Sequence, residues 1–90
     1  MNYMDKETLV LKTQIELSVV RPKIMKILDA KTFARPKEIS ELCNCHISYV
    51  SHCLRWLKRN DMVYCINDDS KSFRIYKLTE KGRCMVNLLD

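Results

Sequence analysis

The sequence predicts an α+β fold that is mainly helical, with two strands inserted between a fourth and a fifth helix. Apolar residues recur at helical spacing through most of the first 60 residues, strand-like patterning begins after Asp61, and a short amphipathic segment follows Thr79. The chain has 90 residues, of which 47% are hydrophobic. It is therefore long enough for one domain with a real core, spanning 1–90, and too short for two.

A proline separates the first two predicted helices. Residues 6–18 are rich in helix formers, and apolar residues recur there every four positions. Pro22 is tolerated in the first turn of a helix and is costly later, so a second helix is expected to begin near Arg21. The buried face of this second helix is predicted to carry Val20, Ile24, Ile27 and Leu28.

The third and fourth helices are expected to be short and closely joined. Residues 32–35 are interpreted as a connection, and Pro36 suits the first position of a third helix. Asn44 tolerates the left-handed conformation that ends a helix, and a fourth helix over 46–60 follows after about three residues. The inner faces are predicted to carry Ile39, Leu42 and Cys43 in the third helix and Ile47, Val50, Leu54 and Leu57 in the fourth.

The pattern changes after the fourth helix. Residues 62–67 and 72–78 are rich in β-branched and aromatic residues, and the polar residues between them indicate a hairpin. Thr79 is expected to cap a last helix that runs from Glu80 to about Leu89.

Two short helices joined by a tight turn describe a helix-turn-helix, and a hairpin directly after them makes it a winged helix. Residues 20–83 resemble the winged helix-turn-helix domain of prokaryotic transcription regulators, in the broad MarR-like and ArsR-like group. The resemblance is carried by four segments: PKEISEL at 36–42, VSHCLRWLKR at 50–59, NDMV at 60–63 and YKLTEKG at 76–82. It implies a winged-helix core at 20–83 with a two-stranded wing. The N-terminal helix within 1–19 and the C-terminal helix at 79–90, both predicted from the sequence pattern, are additions to this motif.

The fourth helix has the composition of a recognition helix. Opposite its apolar face runs a polar stripe, defined as Ser48, His52, Arg55 and Arg59. Arginine can bond guanine edges or hold phosphates, and the N-terminal part of such a helix meets base edges. An ordinary solvated helix face is the alternative interpretation. The predicted DNA contacts are Ser48, Tyr49 and His52 to bases, Arg55 and Arg59 to phosphates, and Ser51 as a further contact.

The hairpin tip carries charges of both signs. Asp68 and Asp69 would repel phosphates, whereas Lys71 and Arg74 would attract them. We expect Lys71 and Arg74 to grip the DNA backbone while the acidic tip stays out of the groove. A solvated hairpin with no role in DNA binding is the alternative.

Cysteines raise a separate question. Five is an odd number, so a fully paired intramolecular disulfide framework is impossible. Cys43, Cys45 and His46 form a C-x-C-H cluster of possible metal ligands. The letters ELCNC at 41–45 match a motif of metal-sensing ArsR-like repressors, whose cysteines lie about two turns earlier. Core packing is the favoured interpretation, with metal or redox sensing and a structural disulfide as alternatives, and no cofactor is expected.

Composition narrows the function classes. No nucleophile motif, paired-carboxylate cleft or phosphate-binding loop is present, so neither an enzyme nor a small-molecule substrate is expected. The lack of a secretory signal or long apolar run predicts a cytoplasmic, nucleoid-associated protein with no membrane partner. The net charge is +5, of which residues 32–60 carry +3 and residues 61–90 carry none. The helix-turn-helix is therefore the expected face for an acidic partner.

The resulting expectation is a sequence-specific regulator of transcription, acting on double-stranded DNA as a dimeric repressor that reads the major groove. One recognition helix contacts little DNA, and two-fold dimers solve this by reading two half-sites. The alternatives are a winged helix that binds proteins and a metal- or redox-responsive DNA-binding sensor. The predicted homodimer interface is Leu9, Leu11, Ile15, Met85, Leu88 and Leu89, which could instead complete the monomer core.

Overall fold

Five helices and three short strands make up residues 4–90, the part of the chain that the computed structural model describes. The helices there are α1 (Lys6–Glu16), α2 (Val20–Lys31), α3 (Pro36–Cys43), α4 (Ile47–Arg59) and α5 (Glu80–Val86). The strands are β1 (Phe33–Ala34), β2 (Val63–Cys65) and β3 (Tyr76–Leu78). The mainly helical α+β class is confirmed, and every predicted helix is present within a few residues of its expected ends.

The sheet has three antiparallel strands in the order β1-β3-β2. The hairpin of β2 and β3, with the loop 66–75 between them, is the wing. The interpretation of residues 32–35 as a plain connection was wrong, because Phe33 pairs with Lys77 and Ala34 pairs with Tyr76. Two residues are too few to show an alternating pattern, and this strand forms because β3 offers its second edge as a partner.

The core lies between the sheet and the inner faces of the helices. From α4, Val50, Leu54 and Leu57 are fully buried, as predicted. Leu42 and Ile47 were wrongly assigned to the inner faces, since they are 57% and 43% exposed. Each lies at an end of its helix, where the short α3–α4 connection turns that position away from the neighbouring helices.

The helix ends follow the predicted chemistry. Asn44 adopts the left-handed conformation, with φ 55° and ψ 45°, and ends α3. His46 caps α4, since its Nδ1 accepts a hydrogen bond of 3.1 Å from the Ser48 backbone N–H. Thr79 caps α5, since its Oγ1 accepts a bond of 2.9 Å from the Gly82 backbone N–H. These caps fix where α4 and α5 begin.

The terminal helices pack on the body of the same chain. Ile15 and Met85, which were predicted at a dimer interface, are buried in the core of the monomer. Three further residues of that predicted set pack partly against the same core: Leu11, Leu88 and Leu89. Only Leu9 of the six is an exposed apolar side chain. Between residues 4 and 90, no helix combines the length and apolar character that crossing a bilayer requires.

Candidate nucleic-acid interface

The N-terminal half of α4 presents polar side chains to solvent. Ser48, Tyr49 and His52 are all exposed, and the opposite side of the helix is held in the core by Val50 and Leu54. The Ser48 Oγ donates to His46 Nδ1 at 2.5 Å, so this hydroxyl also belongs to the helix cap. The three side chains predicted to meet bases therefore lie on one accessible surface at the start of the helix.

A basic groove runs between α4, the start of α3 and the wing, with a volume of about 700 Å³. Four of the predicted DNA-binding residues line it: Ser51, Arg55, Lys71 and Arg74. No aspartate or glutamate is among its lining residues. We define the basic groove by its six cationic side chains: Arg35, Lys37, Arg55, Lys58, Lys71 and Arg74.

Three of these cations were missed by the sequence analysis. Arg35 and Lys37 flank the first residue of α3, and Lys58 lies next to the predicted Arg59 on α4. The positions of Arg35 and Lys37 in the chain give no sign that the start of α3 faces the wing. Lys58 could have been found, because it is one helical turn from Arg55 and therefore shares its side of the helix.

Arg35 connects the start of α3 to the wing. Its guanidinium lies over the Phe73 ring, with Cζ 4.7 Å from the ring centroid. Its backbone N–H donates to Glu38 Oε1 at 3.3 Å, which ties the same residue to the first turn of α3. A cation over an aromatic face is attracted by the ring quadrupole. This contact joins the start of α3 to the wing loop.

The wing loop is organised by side-chain bonds to the backbone. Asn67 bonds to the backbone on the opposite side of the loop twice. Its Nδ2 donates to the Phe73 carbonyl at 2.5 Å, and its Oδ1 accepts from the Ile75 N–H at 2.8 Å. Arg74 Nε donates to the Ser70 carbonyl at 3.0 Å. Backbone pairing in the hairpin ends at Ile66, whose N–H donates to the Ile75 carbonyl at 2.8 Å. Beyond this bond, the side-chain bonds replace the ladder, which explains why the strands are shorter than predicted.

The acidic tip of the wing touches the recognition helix. Lys58 Nζ lies 2.8 Å from Asp68 Oδ1. The hydrogen bond to the Lys58 ammonium lowers the pKa of Asp68, and the same bond raises the pKa of Lys58. Asp69 is exposed beside it. Asp68 therefore lies at the edge of the basic groove, next to Lys58, although it does not line the groove.

Arg59 lies apart from the other predicted DNA contacts. It lines a separate cleft, of about 1030 Å³, between α1, the end of α4 and α5. Lys6 and Lys81 line this cleft with it, above apolar side chains that include Leu11 and Met85. The structure thus brings Arg55 into the basic groove but does not bring Arg59 there.

Trp56 anchors the flank of α4 that faces α1 and α2. The Arg21 guanidinium lies over its ring, with Cζ 4.0 Å from the centroid. Arg21 Nη1 also donates to the Gln14 carbonyl at 2.7 Å, so this side chain joins α1, α2 and α4. Trp56 is therefore held against α2 by Arg21, and the same arginine bonds to α1.

The cysteines pack as small apolar residues or lie at the surface. All five are free thiols, and Cys43, Cys53 and Cys65 are buried. Burial raises the pKa of the Cys43 and Cys53 thiols, which disfavours the thiolate that metals and oxidants require. Cys45 is half-buried, and its Sγ donates to the Cys43 carbonyl at 3.2 Å. Within residues 4–90, no three His, Cys, Asp or Glu side chains come together as a metal site would need.

The sequence and the structure of this chain were compared with those of known proteins. No family model and no curated protein matches the sequence. A mutant of MarR from E. coli, complexed with operator DNA, has a TM-score of 0.72 at 15% identity. The likeness covers 93% of this chain and 61% of the MarR chain, so the chain spans less than two thirds of that relative.

Two other solved structures show the same likeness. The antimony-specific transcriptional repressor AntR has a TM-score of 0.77 at 10% identity, covering 98% of this chain and 78% of AntR. Reduced HlyU from Vibrio cholerae has a TM-score of 0.73 at 21% identity, covering 91% of this chain and 84% of HlyU. The predicted resemblance is therefore confirmed at the level of architecture: the chain has the winged helix-turn-helix fold of MarR-type transcription regulators.

Proposed function

We propose that this chain is a transcription regulator that binds double-stranded DNA, with α4 in the major groove. The observation that carries the proposal is the basic groove, in which six lysines and arginines from three elements face one space without an acidic lining residue. Phosphates account for most of the affinity of such proteins for DNA, and clustered cations are what phosphates need. MarR of this fold has been crystallised with its operator DNA.

The surface divides naturally between base and phosphate contacts. Ser48, Tyr49 and His52 project from the first two turns of α4, the part that meets base edges in helix-turn-helix proteins. Arg55 follows at the groove, where Lys71 and Arg74 approach from the wing. We propose that the first group selects sequence and that the basic groove holds one DNA strand by its backbone.

The polar stripe also bears on the alternative of a protein-binding winged helix. Such a module would be expected to expose an apolar patch on that side of α4. The exposed side there carries Ser48, His52 and Arg55, and its exposed apolar side chains are Tyr49 and Ile47, which lie on opposite flanks of the polar stripe. This polar surface favours DNA binding over protein binding. The function we propose is regulation of transcription in the cytoplasm, on the nucleoid and without catalysis.

We further propose that the chain acts as a homodimer that represses by occluding its site. Support comes from Leu9 and Val10 of α1 and Leu17 directly after it, which remain exposed although the helix packs on the core through Ile15. Two half-sites read by two copies would also supply the specificity that a single 13-residue recognition helix lacks.

Salt dependence tests the DNA-binding proposal. Fluorescence anisotropy with a labelled mixed-sequence duplex should show a log–log slope of roughly −3 or steeper, since each neutralised phosphate contributes about −0.9. Lys37→Gln, in the basic groove, should flatten the slope by about 0.9. Lys23→Gln, at an exposed position of α2 outside the groove, is the matched control and should leave it unchanged.

Two outcomes would contradict the proposal. A flat salt response would indicate a partner other than nucleic acid, and an equal effect of both lysine variants would remove the groove from the interface. Selection of bound sequences from a random duplex pool then tests sequence specificity, for which a palindrome is the expected product.

A further inference from the structure

The contact between Lys58 and Asp68 crosses from the recognition helix to the tip of the wing. Their side chains meet at 2.8 Å, and both are partly exposed to solvent. Lys58 belongs to the basic groove, whereas Asp68 is not among its lining residues. One of the six cations proposed to hold phosphate is thus already paired with an anion of the same chain.

A carboxylate is a close stand-in for a phosphate at this position. Both present an anionic oxygen to an ammonium group at about 2.7–2.9 Å, with comparable charge-assisted bonding. A phosphate that reached Lys58 would also meet the negative charge of Asp68 at close range, and like charges repel. The phosphate and the Asp68 carboxylate therefore compete for the same lysine.

We propose that Asp68 is a built-in competitor of DNA, which occupies Lys58 in the free protein and must be displaced from it when a phosphate enters the basic groove. The proposal rests on the proposed DNA-binding function. In the free protein the ion pair holds the wing tip against α4. On DNA, the loss of this pair reduces the net gain from the phosphate contact, so weak, non-specific binding is suppressed.

The neighbouring acid provides a natural comparison. Asp69 carries the same charge, one residue further along the wing tip, and makes no ion pair within the described residues 4–90. Any general effect of an acidic tip on DNA binding should be shared by Asp68 and Asp69. An effect that operates through Lys58 should belong to Asp68 alone.

The test measures duplex affinity for Asp68→Asn and Asp69→Asn in the full chain. The probe is the labelled mixed-sequence duplex, titrated at several potassium chloride concentrations. Asp68→Asn should tighten binding by about two- to fivefold more than Asp69→Asn, the range expected for an exposed ion pair. Its log–log salt slope should match that of Asp69→Asn, because Lys58 contacts the same phosphate in the bound state whether or not it first had to release Asp68.

A double-mutant cycle locates the effect on Lys58. In a Lys58→Met background, Asp68→Asn should lose its advantage over Asp69→Asn, because the competed lysine is gone. Thermal unfolding of each variant checks the fold, and Asp68→Ser repeats the test if Asp68→Asn proves unstable.

The outcomes separate this proposal from the one on which it depends. If the wild-type chain binds duplex with a steep salt response while Asp68→Asn and Asp69→Asn bind it with equal affinity, the competition is refuted and DNA binding stands. Weaker binding by Asp68→Asn, or an advantage that persists without Lys58, would refute it equally. A wild-type chain that fails to bind duplex would overturn both proposals together.

Discussion

Arg55 and Arg59 lie one turn apart on α4, yet they face different surroundings. Arg55 lines the basic groove beside the wing, and Arg59 lines the cleft between α1 and α5. A wheel places both on one stripe, since they differ by only about 40° around the helix axis. What separates them is the material on either side of the helix: the wing lies beside one and the terminal helices beside the other.

This division predicts unequal losses of DNA affinity. Arg55→Ala should weaken binding by about 1–3 kcal/mol, the usual cost of losing a close arginine contact. Arg59→Ala should cost clearly less, because its neighbours belong to a different cleft. Anisotropy titrations at a fixed salt concentration measure both changes. Equal losses would show that the DNA surface extends past the groove to the end of α4.

Gly82 lies where α5 approaches the backbone of Met62 so closely that a side chain would not fit. A Cβ atom at this position in α5 would lie 2.1 Å from the Met62 carbonyl oxygen and 3.2 Å from Leu78 Cδ2. That oxygen already accepts a hydrogen bond of 3.0 Å from the Thr79 N–H, so it is not free to move aside. The single glycine of the chain thus allows α5 to pack directly on the backbone before the wing.

Gly82→Ala is expected to destabilise the fold. The clash is with backbone rather than with a flexible side chain, so the free energy of unfolding should fall by about 2 kcal/mol or more. Denaturant unfolding followed by circular dichroism measures the change. Lys81→Ala, at the exposed preceding position, is the control and should change it by less than about 0.5 kcal/mol. Similar stability for both variants would mean that α5 can shift away from Met62.

At the scale of elements, the turn between α3 and α4 sets the direction of the recognition helix. Asn44 takes positive φ, and the Cys45 N–H bonds back to the Ser40 carbonyl at 3.0 Å. These features end α3 and reverse the chain within three residues, before His46 caps α4. The angle between the two helices therefore depends on one left-handed residue.

Substitutions at Asn44 should follow backbone preference rather than size. Asn44→Gly should be nearly neutral, because glycine enters the left-handed region without steric cost. Asn44→Val should lower the free energy of unfolding by about 1–2 kcal/mol, because a β-branched side chain clashes there. Thermal or denaturant unfolding distinguishes the two. Equal stability of both variants would show that the turn can adopt another conformation.

Strand β1 could not be predicted from local sequence patterns. Its two residues have no period of their own, and both of its pairings are to β3, more than 40 residues later in the chain. The wing strands, by contrast, are close in sequence and rich in β-branched and aromatic residues, so they were predictable. A short strand whose only partner is distant is decided by the sheet edge that accepts it.

At the scale of the whole molecule, the terminal helices contribute more side chains to the core of the monomer than predicted. Ile15 and Met85 complete the core, whereas Leu9 and Val10 of α1 and Leu17 directly after it remain exposed apolar side chains that can meet a second copy. Leu17 is 79% exposed at the end of α1. The predicted interface was therefore drawn partly from residues that a single chain already buries.

The revised interface predicts a dimer that depends on α1. Sedimentation at micromolar concentration should give twice the mass of one chain, and Leu9→Glu should shift the population to monomer because a buried charge is costly. Leu42→Glu, at a similarly exposed apolar position on α3, is the control and should leave the mass unchanged. A mass of one chain for the unmodified protein would refute the homodimer.

The sequence alone was sufficient for the order of helices, the wing hairpin, the caps at Asn44 and Thr79, and the polar stripe on α4. Each depends on neighbours within a few positions: helical spacing, a cap residue, or a change of period. These local signals also carried the resemblance to winged-helix regulators, which the solved structures confirm as a fold.

Tertiary structure decided the rest, because it concerns residues that are distant in the chain. It placed Arg35, Lys37 and Lys58 beside the wing, separated Arg59 from Arg55, and set Asp68 against the recognition helix. It also buried Ile15 and Met85 within the monomer. Periodicity gives the side of a helix on which a residue lies, but only packing determines which other element faces that side.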